Sequence, residues 1–161
     1  MKISLTKLFT QDGKSEKYEI PLTSETFSIG GQDYRVIEKH PVILGLTHEG
    51  NRVITITGSA DLTMEIPCAR CLTPVAIPFQ LEFDLQREEK EEDSSFVEGD
   101  ELDVEELVRN ELIVQWPIRV LCKDDCKGIC SRCGANLNIQ TCDCDTTGLD
   151  PRMAAIKDIF S

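Results

Sequence analysis

Residues 54–66 have the sequence ITITGSADLTMEI, in which small or apolar side chains occupy the even positions and polar side chains the odd ones. After a short interruption, apolar side chains return at every odd position from Val75 to Leu85. A period of two is typical of a β-strand with one buried face. The two runs therefore predict a long antiparallel hairpin, with Cys68-Ala69-Arg70-Cys71 at its tip.

Outward from this hairpin, shorter strand patterns occupy residues 3–5, 17–22, 34–37 and 42–46. A helix is predicted after Asp103, a good capping residue with Glu106 three positions later, and its buried stripe comprises Val104, Leu107, Val108 and Leu112. A last short helix is predicted from Asp150. The fold class is thus α+β: a β-rich, barrel- or sandwich-like N-terminal core with a long hairpin, one main helix and a C-terminal cysteine-rich zinc-binding element.

The chain length of 161 residues fits one main core. We predict a β-rich core over residues 1–87, an acidic loop over 88–101, and a helix plus cysteine-rich tail, packed on the core, over 102–161. The net charge is −12. Because residues 88–106 carry 11 acidic side chains and one Lys, this segment holds most of the excess and is predicted to be mobile up to Leu102.

Composition also bounds the cellular setting. No run approaches the roughly 18–20 apolar residues needed to cross a bilayer, and the first residues lack the apolar core of a signal peptide. We expect a soluble cytoplasmic protein with no membrane partner. The negative net charge excludes a surface that is basic overall, although it permits a local basic patch.

Eight cysteines are the strongest chemical signal, because a reducing compartment seldom keeps structural disulfides and clustered thiols there usually hold metal. Cys130-x2-Cys133-Gly134 has the form of a zinc knuckle, and Cys142-x-Cys144 returns eight residues later. The candidate zinc ligands are Cys122, Cys126, Cys130, Cys133, Cys142 and Cys144, with Cys68 and Cys71 as further candidates.

The number of ions is left open at one or two. Eight sulfurs equal two sites of four, which would place Cys68 and Cys71 with Cys122 and Cys126 and leave the other four cysteines together. In the alternative, one C-terminal zinc is bound and Cys68 and Cys71 form a reduced pair. Iron in a four-sulfur site has the same spacing, but zinc is the favoured metal.

Catalysis is not predicted. A closed thiolate site leaves no position for water, and the only histidines, His40 and His48, lie far upstream and are expected at the surface. No phosphate loop, dinucleotide fingerprint or nucleophile elbow is present. We therefore expect no enzyme and no small-molecule substrate.

Cations cluster among the cysteines. Arg70, Lys123, Lys127 and Arg132 are candidate contacts to RNA phosphates or to a protein partner. The competing interpretation is that they offset the charge of −2 on a four-thiolate zinc site.

Residues 66–72 (IPCARCL) and 121–138 (LCKDDCKGICSRCGANLN) resemble the YceD family. The likeness extends to an N-terminal β region, an acidic linker, a helix ending in Trp116-Pro117 and a closing Asp150-Pro151-Arg152. This resemblance implies a non-enzymatic role in 23S ribosomal RNA accumulation and large-subunit assembly in bacteria, with ribosomal RNA or a large-subunit ribosomal protein as partner. The rival hypothesis is a thiol-based redox or metal sensor, or a zinc-braced protein-interaction module.

Overall fold

The computed structural model describes residues 1–50, 53–88 and 95–144, which are mostly β-strand with one α-helix. The strands are β1 Lys2–Ser4, β2 Ser15–Ile20, β3 Thr26–Ile29, β4 Gln32–Lys39, β5 Val42–Gly50, β6 Val53–Pro67, β7 Pro74–Glu88, β8 Val97–Glu98 and β9 Glu101–Asp103. The helix is α1 Val104–Val114, and a short 3-10 turn covers Leu8–Thr10.

The chain divides into two compact units. The first unit comprises Met1–Ile66 and Pro74–Ile118, and the second comprises Pro67–Thr73 and Arg119–Ser161. The division at residues 87 and 101 that the sequence suggested stays a prediction. The predicted C-terminal helix from Asp150 lies outside the described residues.

The first unit is built on a six-stranded antiparallel sheet in which the long strand β6 has neighbours on both sides. β5 pairs with residues 53–59 of β6 and β4 pairs with residues 62–65, while β7 is a further partner of β6. β2 pairs with β5 and β3 pairs with β4. The described strands do not close into a barrel, so the barrel- or sandwich-like part of the predicted fold class is not confirmed.

The alternation of the two long runs produces the core. The even-numbered residues from Ile54 to Ile66 are buried, apart from Gly58, and so are Phe79, Leu81 and Phe83 of β7. Each fully buried aliphatic or aromatic side chain contributes about 1.5–3 kcal/mol relative to exposure. The predicted pair of half-buried strands is confirmed.

Gly58 occupies a position in β6 that leaves no room for a side chain. It lies opposite Leu44 in regular register, with φ 154°. A Cβ atom there would approach the Ile43 carbonyl oxygen to 2.0 Å. Glycine is therefore required because a Cβ atom at this φ would point into the backbone of β5.

Strand β8 lies within the segment predicted as a mobile acidic loop, and β9 begins at its last residue, Glu101. β9 pairs with β1 and β8 pairs with β9, which gives a second, three-stranded sheet. The Lys2 ammonium lies 2.9 Å from a Glu98 carboxylate oxygen and 3.2 Å from one of Glu101. Pairing with the N-terminal strand thus orders residues 97–103, an effect that local periodicity cannot reveal.

Helix α1 begins as predicted. The Asp103 carboxylate accepts hydrogen bonds from the backbone N–H groups of Glu105 and Glu106 and so caps the helix. The side chain of Glu106 does not complete a capping box, since it accepts from the Arg109 guanidinium instead. The predicted stripe of Val104, Leu107, Val108 and Leu112 is buried. Among the described residues, no helix is both long and apolar enough to cross a membrane.

One histidine departs from expectation. His40 is exposed, but His48 is only 4% exposed, and its ring makes an edge-on contact with Phe9. Its Nδ1 lies 3.2 Å from the Gln11 carbonyl oxygen. The prediction that His48 lies at the surface is wrong, because residues far from it in sequence cover its ring.

Candidate metal centres

All eight cysteines lie in the second unit, where they form two groups of four. The first cysteine group is Cys68, Cys71, Cys122 and Cys126, and the second cysteine group is Cys130, Cys133, Cys142 and Cys144. Within each group, all sulfur atoms lie within 4.8 Å of one another, and every cysteine is free of disulfide bonds. Of the alternatives left open by the sequence, the geometry favours two sites with this pairing.

The sulfur spacing of the first group suits a tetrahedral ion. Bonds of about 2.3 Å at tetrahedral angles place two zinc-bound sulfurs about 3.8 Å apart. The Cys68 and Cys126 sulfurs are 3.8 Å apart, and those of Cys71 and Cys122 are 3.5 Å apart. A disulfide would need about 2.05 Å, so these are thiols gathered around a common point.

In each cysteine group, two of the four cysteines lie in a backbone turn, and the two turns have the same geometry. In the first turn, the Leu72 N–H donates to the Cys68 carbonyl at 3.0 Å, and Leu72 has φ 60°. In the second, the Gly134 N–H donates to the Cys130 carbonyl at 2.9 Å, and Gly134 has φ 73°. Both Cys-x2-Cys pairs thus form the same kind of turn, with a left-handed residue directly after the second cysteine. Only the second turn has glycine, which this conformation favours, at that position.

Backbone amides in these turns favour ionisation of the leading thiol. Burial of Cys68 disfavours its charged form, but the N–H groups of Arg70, Cys71 and Cys122 outweigh this effect and lower its pKa to about 6. The N–H groups of Cys133 and Arg132 likewise lower the pKa of Cys130 to about 6. In each group, the backbone thus favours the thiolate form of the leading cysteine.

Each group also contains a thiol whose pKa is raised. The hydrogen bond that the Cys122 thiol shares with Cys71 is the main cause that raises the pKa of Cys122 to about 12. The hydrogen bond with Cys133 does the same for Cys144, whose pKa is also about 12. Four sulfurs so close together cannot all carry charge without a cation between them, and metal binding would release these protons.

Polar contacts brace the first group. The Asn138 amide donates to the Cys126 sulfur at 3.3 Å. The Cys71 sulfur lies 3.2 Å from the Thr73 hydroxyl oxygen, and that hydrogen bond lowers the pKa of Cys71. One guanidinium N–H of Arg70 donates to the Cys126 carbonyl at 2.8 Å. Thr73 and Asn138 were missed as site residues, because no fixed spacing from a cysteine marks such a contact.

The four candidate partner-binding cations are all exposed in the second unit. Arg70 uses one N–H at Cys126 and keeps other donors. The Lys123 ammonium lies 3.8 Å from an Asp125 carboxylate oxygen. Lys127 contributes its backbone N–H to the Asn138 side chain, which leaves its ammonium out of that contact. Their role as partner contacts stays a prediction.

The arrangement resembles a closed structural centre. Four thiolates fill a tetrahedral coordination sphere, so no position remains for a reacting water. Neither histidine belongs to the cysteine groups, and both lie in the first unit. The donor sets therefore fit zinc held for structure.

Residues 56–160, which include both cysteine groups, are similar in sequence to known proteins. A family model described as "Large ribosomal RNA subunit accumulation protein YceD" matches residues 56–160. A protein of Arabidopsis thaliana, "Large ribosomal RNA subunit accumulation protein YCED homolog 1, chloroplastic", is 41% identical over 44 residues, which are 27% of this chain and 14% of that protein. "Uncharacterized protein YlbN" of Bacillus subtilis (strain 168) is 26% identical over 113 residues, 66% of this chain and 63% of that protein.

The matched regions thus cover less than two thirds of either relative. No solved structure matches the chain.

Proposed function

Because the chain belongs to the YceD family, whose model matches residues 56–160, we propose that it promotes accumulation of 23S ribosomal RNA and assembly of the large ribosomal subunit without catalysing a reaction. The observation that carries this proposal is the extent of the family match, which includes both cysteine groups. The name of the plant relative, which also refers to large-subunit RNA, supports it. The closed donor sets support a non-enzymatic role.

Zinc is the metal proposed for both cysteine groups. The sulfur spacing of 3.8 and 3.5 Å in the first group supports tetrahedral coordination, and the all-sulfur donor sets favour a soft or borderline metal. A bound zinc ion would cross-link two chain segments and add folding free energy that a small unit cannot obtain from apolar burial. The free thiols also support a reducing compartment, which we take to be the cytoplasm.

The partner would be ribosomal RNA or a large-subunit ribosomal protein, contacted through Arg70, Lys123, Lys127 and Arg132. Their exposure supports this role. Phosphate contacts from Lys and Arg position a protein on RNA without reading sequence. Two four-thiolate zinc sites would add a charge of −4, so the four cations must act locally. Because salt screens contacts between cations and phosphates, binding of the protein to RNA should weaken steeply with added salt.

Depletion in growing bacterial cells tests the proposal. Loss of the protein should lower the ratio of 23S to 16S ribosomal RNA, and wild-type protein should restore it. A Lys127→Ala/Arg132→Ala variant should restore it poorly. The matched control is Lys7→Ala/Lys17→Ala, which removes two exposed lysines of the first unit and should complement fully. An unchanged ratio on depletion would refute the ribosomal role.

A thiol-based redox or metal sensor is the second candidate, favoured by the exposure of Cys133 within the second group. An exposed metal thiolate is open to oxidants. Mild peroxide would then release zinc and change the partners that bind. Zinc retained under peroxide concentrations that oxidise a free thiol would exclude this candidate.

A further inference from the structure

We propose that the two cysteine groups bind their metal ions cooperatively, through Asn136 and Asn138. Both asparagines lie in the segment between Cys133 and Cys142, so the second cysteine group encloses them in the chain. The Asn138 side chain nevertheless contacts Cys126 of the first cysteine group, and the Asn136 side chain contacts Thr73, a hydrogen-bond partner of Cys71. This inference rests on the proposed metal binding.

Asn138 holds the Cys126 end of the first group at two points. Its side-chain N–H donates to the Cys126 sulfur at 3.3 Å, and its side-chain oxygen accepts the Lys127 backbone N–H at 2.9 Å. An N–H directed at a thiolate fixes the sulfur position and withdraws electron density from it. Asn138 is therefore a positioning residue for the first ion, although it lies in the loop of the second.

Asn136 connects this contact to the other half of the first group. Its side-chain oxygen accepts from both the backbone and the side-chain N–H of Asn138, at 3.0 and 2.9 Å. Its amide donates to the Thr73 hydroxyl oxygen at 3.4 Å, and that oxygen lies 3.2 Å from the Cys71 sulfur. The two asparagines thus join Cys71 and Cys126, which come from separate chain segments.

The position of the asparagines depends on the second group. The segment is anchored by a β-bridge between Ile129 and Asn136, and by the Cys130 N–H on the Ala135 carbonyl at 2.8 Å. The Leu137 N–H also donates to the Gly128 carbonyl at 2.9 Å. At its far end the loop closes where Cys130 and Cys133 meet Cys142 and Cys144. Without an ion in the second group, the loop gains conformational freedom and the asparagine contacts weaken.

Because coupling between two binding sites is reciprocal, each ion should stabilise binding of the other. Loss of a residue that supports a metal ligand typically lowers metal affinity about 10–100-fold. Emptying the second group should weaken the first by a factor in this range.

The test uses the full chain, reduced and stripped of metal, with Co²⁺ as probe and Zn²⁺ in competition. Cys142→Ser/Cys144→Ser disables the second group, and we expect the Zn²⁺ affinity of the first to fall about 10–100-fold. Asn138→Ala should lower it similarly in the wild-type background, and little further in the double-Ser background. Asn110→Ala, which removes an amide of the first unit, is the control and should leave it unchanged.

A spectroscopic readout separates positioning from simple loss of structure. Removing the N–H···S contact makes the Cys126 thiolate more electron-rich. The sulfur-to-cobalt charge-transfer band of Asn138→Ala should therefore move to longer wavelength. The single tryptophan, Trp116, stacks on Phe79 in the first unit, so unchanged fluorescence would show that this unit stays folded in every variant.

Two outcomes overturn the inference in different ways. A first group whose affinity stays within twofold of wild type in Cys142→Ser/Cys144→Ser would refute the coupling and leave metal binding intact. A wild-type chain that binds no Co²⁺ and no Zn²⁺ would refute the metal proposal, and the coupling with it.

Discussion

Replacing Gly58 with alanine should destabilise the first unit strongly. The new Cβ would lie 2.0 Å from the Ile43 carbonyl oxygen, whereas real contacts of this kind do not fall below 3.0 Å. The strands β5 and β6 must therefore separate by about 1 Å at this point. Weakening two neighbouring ladder hydrogen bonds costs about 1 kcal/mol each. Holding alanine near φ 154° adds about 1–3 kcal/mol.

The expected loss is thus about 3–5 kcal/mol, which should lower Tm by roughly 10 °C. Urea unfolding followed by Trp116 fluorescence measures it. Gly45→Ala is the matched control in the same strand pair. Its Cβ would lie 2.9 Å from the Thr57 hydroxyl oxygen, which can rotate away, and 3.8 Å from the Thr57 carbonyl oxygen, an ordinary contact. We expect a cost below about 1 kcal/mol there. A Gly58→Ala variant as stable as Gly45→Ala would show that β5 accommodates the Cβ atom without cost.

Two further predictions concern a carboxylate and a turn. Burial of Glu105 opposes its ionisation, but hydrogen bonds from Thr23 and Ser24, and the N-terminal ammonium, lower its pKa to about 2. Its stabilisation is therefore complete above the unfolded pKa of about 4.3 and is lost as pH falls towards 2. Glu105→Gln should cost about 1 kcal/mol at pH 7 and flatten the pH dependence of urea unfolding between pH 4.5 and 2; equal slopes in both proteins would contradict this. Gly134→Ala places a Cβ at φ 73° and costs about 1 kcal/mol. A chelator should therefore remove zinc from the second group about fivefold more readily. Unchanged zinc retention would contradict the proposed strain in this turn.

The alternation of apolar and polar residues predicted much of the first unit's secondary structure. The alternation in residues 54–66 and 75–85 corresponds to β6 and β7, with the predicted face buried at Met64 and Leu81. The Asp103 cap likewise marked the start of α1. These features are local, since one strand or one turn of helix contains the whole signal.

Features that depend on distant contacts were not predictable from local pattern. β9 forms because it pairs with β1, about a hundred residues earlier in the chain. The approach of Cys71 to Cys122 joins positions 51 residues apart, so spacing alone left the pairing of the cysteines open. The contacts of Asn136 with Thr73 and of Asn138 with Cys126 arise in the same way, from a loop that returns to distant residues.

We propose that the two four-cysteine groups each hold one zinc ion. Native mass spectrometry of protein purified under continuous reduction tests it most directly, with zinc release by a thiol-specific reagent as a second count. We expect two zinc ions per chain, and one in a Cys142→Ser/Cys144→Ser variant. A fully folded wild-type chain without metal, and with eight titratable thiols, would contradict it.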